Sequence, residues 1–376
     1  MARVRLLVVD DEPGMLRAVE RVLTPLYEIR TARLPGQALE IAATTRFDIA
    51  ILDVRMPEMD GFALMAKLTG LQPGLDVILM TGSTDERDVR LVQAIREKAF
   101  FFLTKPFDRD VLLTLVERCV ELRRLDVANR AHVAELEAEM AAGRVFQEQL
   151  LPERRAAGHG VRVALHWEPS AALGGDFCDY ILAETGSAFL ISDVSGHGAS
   201  AAMLTGMVKL AFRAAAGKAY APEIVMQRIA ASSALFPVGR YVSALCVRLH
   251  PASGTLEYVN AGHPPGLIVR ADGSLERIES TVPIVHPALA YHPTAPRALA
   301  FAPGDRLVLY TDGIVEAHNA AGEQFGPARL EEATLAASRG AADGAVLLTR
   351  LRAALATFAA GRPLEDDLTL AVVEAT

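Results

Sequence analysis

GGDFCDY, residues 174–180, admits three readings: a cyclase signature, part of a metal site, or an ordinary turn. The choice decides the fold of the second half of the chain, and the motif alone does not make it. Four further stretches accompany it: ISDVSGHGASAAM (191–203), YVNAGHPPG (258–266), LYTDGIVEA (309–317) and LEDDLTLAVV (364–373). Asp176, Asp193, Asp312 and Asp366 stand at the ends of apolar runs or beside glycines, where the backbone can approach a ligand closely. Oxygen-only ligands select magnesium or manganese. Two such ions about 4 Å apart can bridge a water, lower its pKa and clamp a phosphate for in-line attack without a cysteine, serine or histidine nucleophile. A diguanylate cyclase would instead need a glutamate directly after the aspartate, where Phe177 stands, and would leave the later stretches unexplained.

The surrounding texture is mixed. RVALHW, AFLISDV, YVSALCVRL, TLEYVNA, GLIVRA, RLVLYTD and LTLAVVEA read as strands between turn signals such as ADG, APGD and PASG. Helical patterns interrupt them near 199–216, 222–234, 326–339 and 344–359. An α+β domain over 152–376 is the expectation.

Residues 1–107 follow a different rule. RLLVVD, YEIRTA, DIAILD, DVILMT and AFFFLT are apolar runs separated by amphipathic stretches such as GMLRAVERVL, which predicts a five-stranded parallel α/β sheet. Such sheets bind ligands beyond the carboxyl ends of their strands. Asp10 and Asp11 end the first run, Asp53 the third and Thr81 the fourth, and Lys105 follows the fifth. Three clustered carboxylates repel one another unless a hard cation shares them, which suits magnesium. A hydroxyl and an ammonium opposite would hold a phosphoryl group. The plainer reading, unrelated loop residues on such a scaffold, does not explain their common register.

Between these regions, residues 108–151 are helical and charged. Leu112, Leu115, Cys119, Leu122, Asp126, Asn129, Val133, Leu136, Met140, Gly143, Gln147 and Leu150 form a candidate coiled-coil seam, with polar layers at Asp126 and Asn129. Gly143 costs about 1 kcal/mol of helix preference relative to alanine. A solvated connecting helix is the alternative to a weak dimeric signalling helix.

Bulk properties narrow the class. Hydrophobic residues make up 51% of the 376, yet no apolar run reaches the roughly 18 residues of a membrane span, and the start MARVRLLVVDDEPG lacks the pattern of a signal peptide. A net charge of −8 argues against nucleic-acid binding through a broad basic face. Cys119, Cys178 and Cys246 show no paired spacing, so neither a disulfide framework nor a zinc site is expected. A cytoplasmic protein without membrane or nucleic-acid partners is the expectation.

VVDDEPGM, ILDVRMPEMDGF, LMTGS and FLTKPF, at their spacings, closely resemble the motifs of response-regulator receiver domains over about residues 3–122. The resemblance implies a flavodoxin-like receiver at 1–122 whose Asp53 takes a phosphoryl group from a histidine kinase. Asp10, Asp11 and Asp53 would hold Mg2+, Thr81 and Lys105 the phosphoryl oxygens, and Phe102 would be the switch aromatic. A cis bond at Lys105-Pro106 is implied, and Arg55 and Ser83 sit where the family tunes phosphoryl lifetime.

From FQEQLLP (146–152) onward, GGDFCDY and its companions resemble the type 2C metal-dependent serine/threonine phosphatases, in the bacterial branch that includes RsbU and the sporulation phosphatase. The likeness implies a β-sandwich flanked by helices. Asp193 would bridge two Mn2+ or Mg2+ ions with the Val194 carbonyl as a neighbouring ligand. Asp176 would bind one ion, and Asp312 and Asp366 the other, with Asp367 an adjacent candidate. His197 and His263 would either orient water or substrate, or fix tight turns. Cys178 replaces the family's usual aromatic and reads as a buried, inert thiol rather than a redox switch. STVPIVHPALAYHP (280–293) lacks the glycine turn expected before the TDG strand, which bears on substrate selection.

Together these imply a two-component stress-response regulator with phosphatase output. The linker helix would transmit the receiver's state and would form a homodimer seam. The substrate would be a phosphorylated regulatory protein such as an anti-sigma-factor antagonist. A non-catalytic phosphoprotein-binding or assembly-control module switched by the receiver is the alternative.

Overall fold

The apolar runs at the start of the chain become the strands of one sheet. A computed structural model describes residues 3–82, 99–196, 198–237 and 239–376. The strands β1 (Arg5–Val9), β2 (Glu28–Ala32), β3 (Ile49–Asp53), β4 (Asp76–Thr81) and β5 (Ala99–Thr104) form a parallel sheet in the order β2-β1-β3-β4-β5. Central strands β1 and β3 are almost wholly buried, as strands covered on both faces must be. The helices α1 (Pro13–Leu23), α2 (Pro35–Thr44) and α3 (Gly61–Leu71) follow β1, β2 and β3. Leu16, Val19 and Leu23 of α1 fall at helical spacing and are buried, each contributing about 1.5–3 kcal/mol.

Helix α4 runs unbroken from Arg109 to Leu150. Contacts divide the chain inside it, into units Met1–Glu135 and Leu136–Thr376. Leu112, Val116 and Cys119 are buried in the core of the first unit, and Arg123 donates to Asp76 at 2.9 Å. Gln147 is buried in the second. Two ends of the expected coiled-coil seam are therefore occupied within their own units, because the apolar stripe there is needed for intradomain packing. Val133, Leu136 and Met140 remain exposed.

The second unit comprises β6 (Arg155–Gly158), β7 (Val161–Glu168), β8 (Asp176–Ile181), β9 (Ser187–Val194), α5 (Ala199–Arg213), α6 (Pro222–Ser233), β10 (Val242–His250), β11 (Thr255–Ala261), β12 (Gly266–Val269), β13 (Leu275–Ile278), β14 (Arg297–Ala300), β15 (Arg306–Tyr310), α7 (Gly326–Ser338), α8 (Gly344–Ala359) and β16 (Leu368–Ala375). Two antiparallel sheets result, β14-β11-β10-β9-β8 and β13-β12-β15-β16-β7-β6. Alternation puts Cys178, Ile191, Leu245, Leu309 and Ala371 into the layer between the sheets. The opposite faces are covered, one by α5 and α6 through Leu204, Phe212 and Ile229, the other by α7 and α8 through Leu330 and Leu351. This is the helix-flanked β-sandwich implied by the sequence. Among the described residues no helix is long and apolar enough to cross a membrane.

Candidate functional site

At the carboxyl end of the parallel sheet, Asp10, Asp11 and Asp53 bring carboxylate oxygens within 4.8 Å of one another. Lys105 donates to Asp10 at 2.7 Å and pairs with Asp53 at 2.9 Å. Burial raises the Asp53 pKa; the Lys105 hydrogen bond and charge pull it back, and Asp10 and Asp11 add to the rise. Burial works against the Lys105 charge too, but its bonds to Asp10 and Asp53 outweigh that and hold its pKa above the ordinary value. A β-carbon on Gly61 would lie 2.3 Å from the Asp53 carbonyl oxygen, which accounts for the glycine in MPEMDGF. Thr81 ends β4 beside Lys105, whose N–H donates to the Thr81 carbonyl at 2.7 Å. Phe102 is half-buried against the core and Arg55 is exposed. The Lys105-Pro106 peptide is cis. Ser83 lies outside the described residues.

The second constellation sits at one end of the sandwich. The β8–β9 register places Asp176 opposite Asp193, and Asp312 opens the 3-10 turn Asp312–Ile314 after β15. Asp366 and Asp367 immediately precede β16. Asp176 is buried, and one of its oxygens accepts from both Thr311 and Thr369 at 2.6 Å. Desolvation and the Asp193 charge push its pKa well above the carboxylate range despite those two hydroxyls. Asp193 is pushed up to about 7, first by burial and then by Asp312, Asp366, Asp367 and Glu316. Asp312 is raised by burial, Asp366 and Glu316. Acids that raise one another in this way form a donor set suited to divalent cations. Among the described residues, however, only Asp10, Asp11 and Asp53 gather three such oxygens within 4.8 Å.

The neighbouring acids at 366 and 367 differ. Asp366 is exposed, whereas Asp367 is buried. The Asp367 carboxylate accepts from the Ser170 N–H at 2.8 Å, the Ser170 hydroxyl at 3.1 Å and the Gly175 N–H at 2.6 Å. β-Carbons on Gly174 and Gly175 would lie 2.3 Å from Asp367 Oδ2 and from the Val194 carbonyl oxygen respectively. The glycines of GGD thus admit another residue's carboxylate and a carbonyl, and the motif turns directly into β8.

His263 is buried and neutral, its pKa lowered to about 3 by desolvation. Its Nδ1 lies 2.8 Å from the Ser243 hydroxyl, and its backbone exchanges hydrogen bonds with the Asn260 side chain, an arrangement that fixes the turn after β11. His197 lies outside the described residues. Cys178 is buried in the inter-sheet layer, where desolvation keeps its thiol protonated. The 280–293 segment packs back through Val285, whose backbone pairs with Val242 of β10. Thr311, Thr369 and Ser170 carry no signal of their own in the sequence, and Gln147 stands there only as a position of the linker seam; the two threonines lie inside the quoted TDG and DDLTL stretches, beside the acids that drew attention.

Comparison with known proteins supplies the family. The model of the stage II sporulation protein E (SpoIIE) family matches residues 183–376, just over half of the chain, and that of the response regulator receiver domain matches residues 6–117. The transcriptional regulatory protein GlrR of Escherichia coli (strain K12) is 37% identical over 117 residues, 31% of this chain and 26% of GlrR. The chain therefore spans about a quarter of the length of that curated relative. The solved SiaA-PP2C domain of Pseudomonas aeruginosa superposes with a TM-score of 0.57 at 19% identity, over 65% of this chain and 98% of that one. The RsbU and RsbW domains of Rv1364c from Mycobacterium tuberculosis give 0.50 at 24% identity, over 57% and 60%. At these identities the likeness concerns the fold. With a family match across most of its sandwich and a receiver match ahead of it, the chain belongs to the stage II sporulation protein E family and carries an N-terminal response regulator receiver domain.

Proposed function

We propose that the protein is a response regulator whose receiver, phosphorylated on Asp53 by a histidine kinase, controls hydrolysis of phosphoserine or phosphothreonine on a regulatory protein. The observation that carries the reading is the in-register pair Asp176 and Asp193 with Asp312 and Asp366 acting electrostatically on Asp193. Asp176, Asp193, Asp312 and Asp366, with the Val194 carbonyl, would hold two Mn2+ or Mg2+ ions, Asp193 being the ligand expected to serve both. When bound, such ions supply an activated water and neutralise phosphate charge. The chain's own part is orientation. Thr311 and Thr369 fix the Asp176 carboxylate, and Asp367 holds the turn that precedes it. In the receiver, Asp10, Asp11 and Asp53, whose oxygens cluster within 4.8 Å, would hold one Mg2+, and Thr81 and Lys105 would bind the phosphoryl oxygens.

The substrate class, a phosphorylated anti-sigma-factor antagonist, rests on the resemblance to the RsbU branch, and a homodimer would form through the exposed middle of α4. Purified protein should hydrolyse a phosphoserine peptide with Mn2+ and lose that activity on chelation. Asp193→Ala should cost several kcal/mol of transition-state stabilisation, about 100-fold or more in rate. An Asp193→Ala protein as fast as the wild type would sink the mechanism.

A further inference from the structure

The end of α4 does not simply run into the sandwich; it reaches the GGD turn through one side chain. Gln147 is 3% exposed, its amide N–H donates to the Gly174 carbonyl at 2.7 Å, and its amide oxygen accepts from the Gly174 N–H at 3.1 Å. The next residue is held from elsewhere: the Gly175 N–H donates to Asp367 at 2.6 Å and the Gly175 carbonyl accepts from the Val194 N–H at 3.1 Å. Every backbone donor and acceptor of the two glycines is thus used, and Asp176 follows them directly. A buried polar group separated from its partner is costly, so the turn has little freedom to move while these bonds stand.

The docking face on the helix is specific. Gly143, one turn before Gln147, would place a β-carbon 3.3 Å from the Leu173 side chain, so a larger residue there would press on the residue preceding the turn. One turn after Gln147, the Leu150 carbonyl accepts from Lys209 at 2.5 Å, and Lys209 also pairs with Asp179 of β8 at 3.3 Å. Gly143, Gln147 and Leu150 continue the stripe that carries Val133, Leu136 and Met140.

We propose that Gln147 is a positioning residue for the phosphatase centre: it sets the GGD turn, and hence Asp176, according to the placement of the last turns of α4. The inference rests on the phosphatase reading for its effect on turnover, but its effect on the turn and on metal affinity can be read without turnover. Outer residues that orient metal ligands typically change affinity or activity by about 10- to 100-fold when altered. In the full chain, Gln147→Leu should weaken Mn2+ binding, measured by calorimetry on metal-free protein, by about that factor. It should lower kcat comparably with little change in KM, and speed hydrogen exchange at the Gly174 amide while circular dichroism stays unchanged. Gln147→Glu keeps the acceptor for the Gly174 N–H and loses the donor to its carbonyl; it should show the same pattern and serves if the leucine variant does not fold. Gln149→Leu, at an exposed position on the same helix, should match the wild type. Wild-type Mn2+ affinity and Gly174 exchange in both Gln147 variants would overturn the proposal. Absence of turnover in the wild type would instead count against the phosphatase reading, with the calorimetry and exchange measurements still deciding the role of Gln147.

Discussion

Asp366 and Asp367 show how two identical neighbours are divided by their partners. Asp367 satisfies two backbone N–H groups, at Ser170 and Gly175, and the Ser170 hydroxyl, while Asp366 is exposed beside Asp193 and Asp312. Removing the buried acceptor leaves those donors unpaired at about 1–3 kcal/mol each. Asp367→Ala should therefore lower unfolding stability by about 3 kcal/mol or more, whereas Asp366→Asn should change it by no more than about 0.5 kcal/mol yet reduce phosphatase activity severely. Urea unfolding and a phosphopeptide assay on both variants test this; the opposite pattern would assign the ligand to Asp367. The acids themselves were legible because each stands at the end of an apolar run or beside glycine. Their supports were not, since Gln147 meets Gly174 across 27 residues and Thr369 meets Asp176 across 193. A pairing at that separation leaves no periodicity to read.

At the scale of elements, the strands of both units were legible because sheets covered on both faces demand apolar runs, bounded in the second unit by turn signals, whereas the sandwich arrangement came from the resemblance. Helix α4 was only half legible. A seam at alternating steps of three and four looks the same whether it packs on its own domain, faces solvent or meets a second copy. Here Leu112 and Cys119 belong to the receiver core and Gln147 to the sandwich, which leaves Val133, Leu136 and Met140 for a partner. The 44% exposure of Leu136 means that its replacement disturbs no core. Leu136→Glu should thus leave the stability of each unit within about 0.5 kcal/mol and convert a dimer to a monomer by light scattering. A wild-type protein that is monomeric at the same concentration would remove the seam from the account.

At the scale of the whole molecule, the two carboxylate centres share a chemistry but differ in how they are neutralised. Asp53 and Asp10 already face the Lys105 ammonium, so the receiver centre balances much of its charge internally. The charges acting most on Asp193 are those of Asp312, Asp366, Asp367 and Glu316, all of them acidic. On the proposed reading, a phosphoryl group on Asp53 would add charge and acceptor oxygens to a buried cluster and would draw Lys105 and Thr81 to it, giving the receiver two states of different electrostatics. If the second centre is biased by those states, the coupling should be of the usual size for linked sites, about 5- to 150-fold. Phosphatase rates of the full chain with and without beryllofluoride, an analogue of the phosphoryl group, should differ by a factor in that range, and Asp53→Ala should abolish the difference. Equal rates in the wild type, with beryllofluoride bound to the receiver, would mean that the receiver does not govern the phosphatase centre.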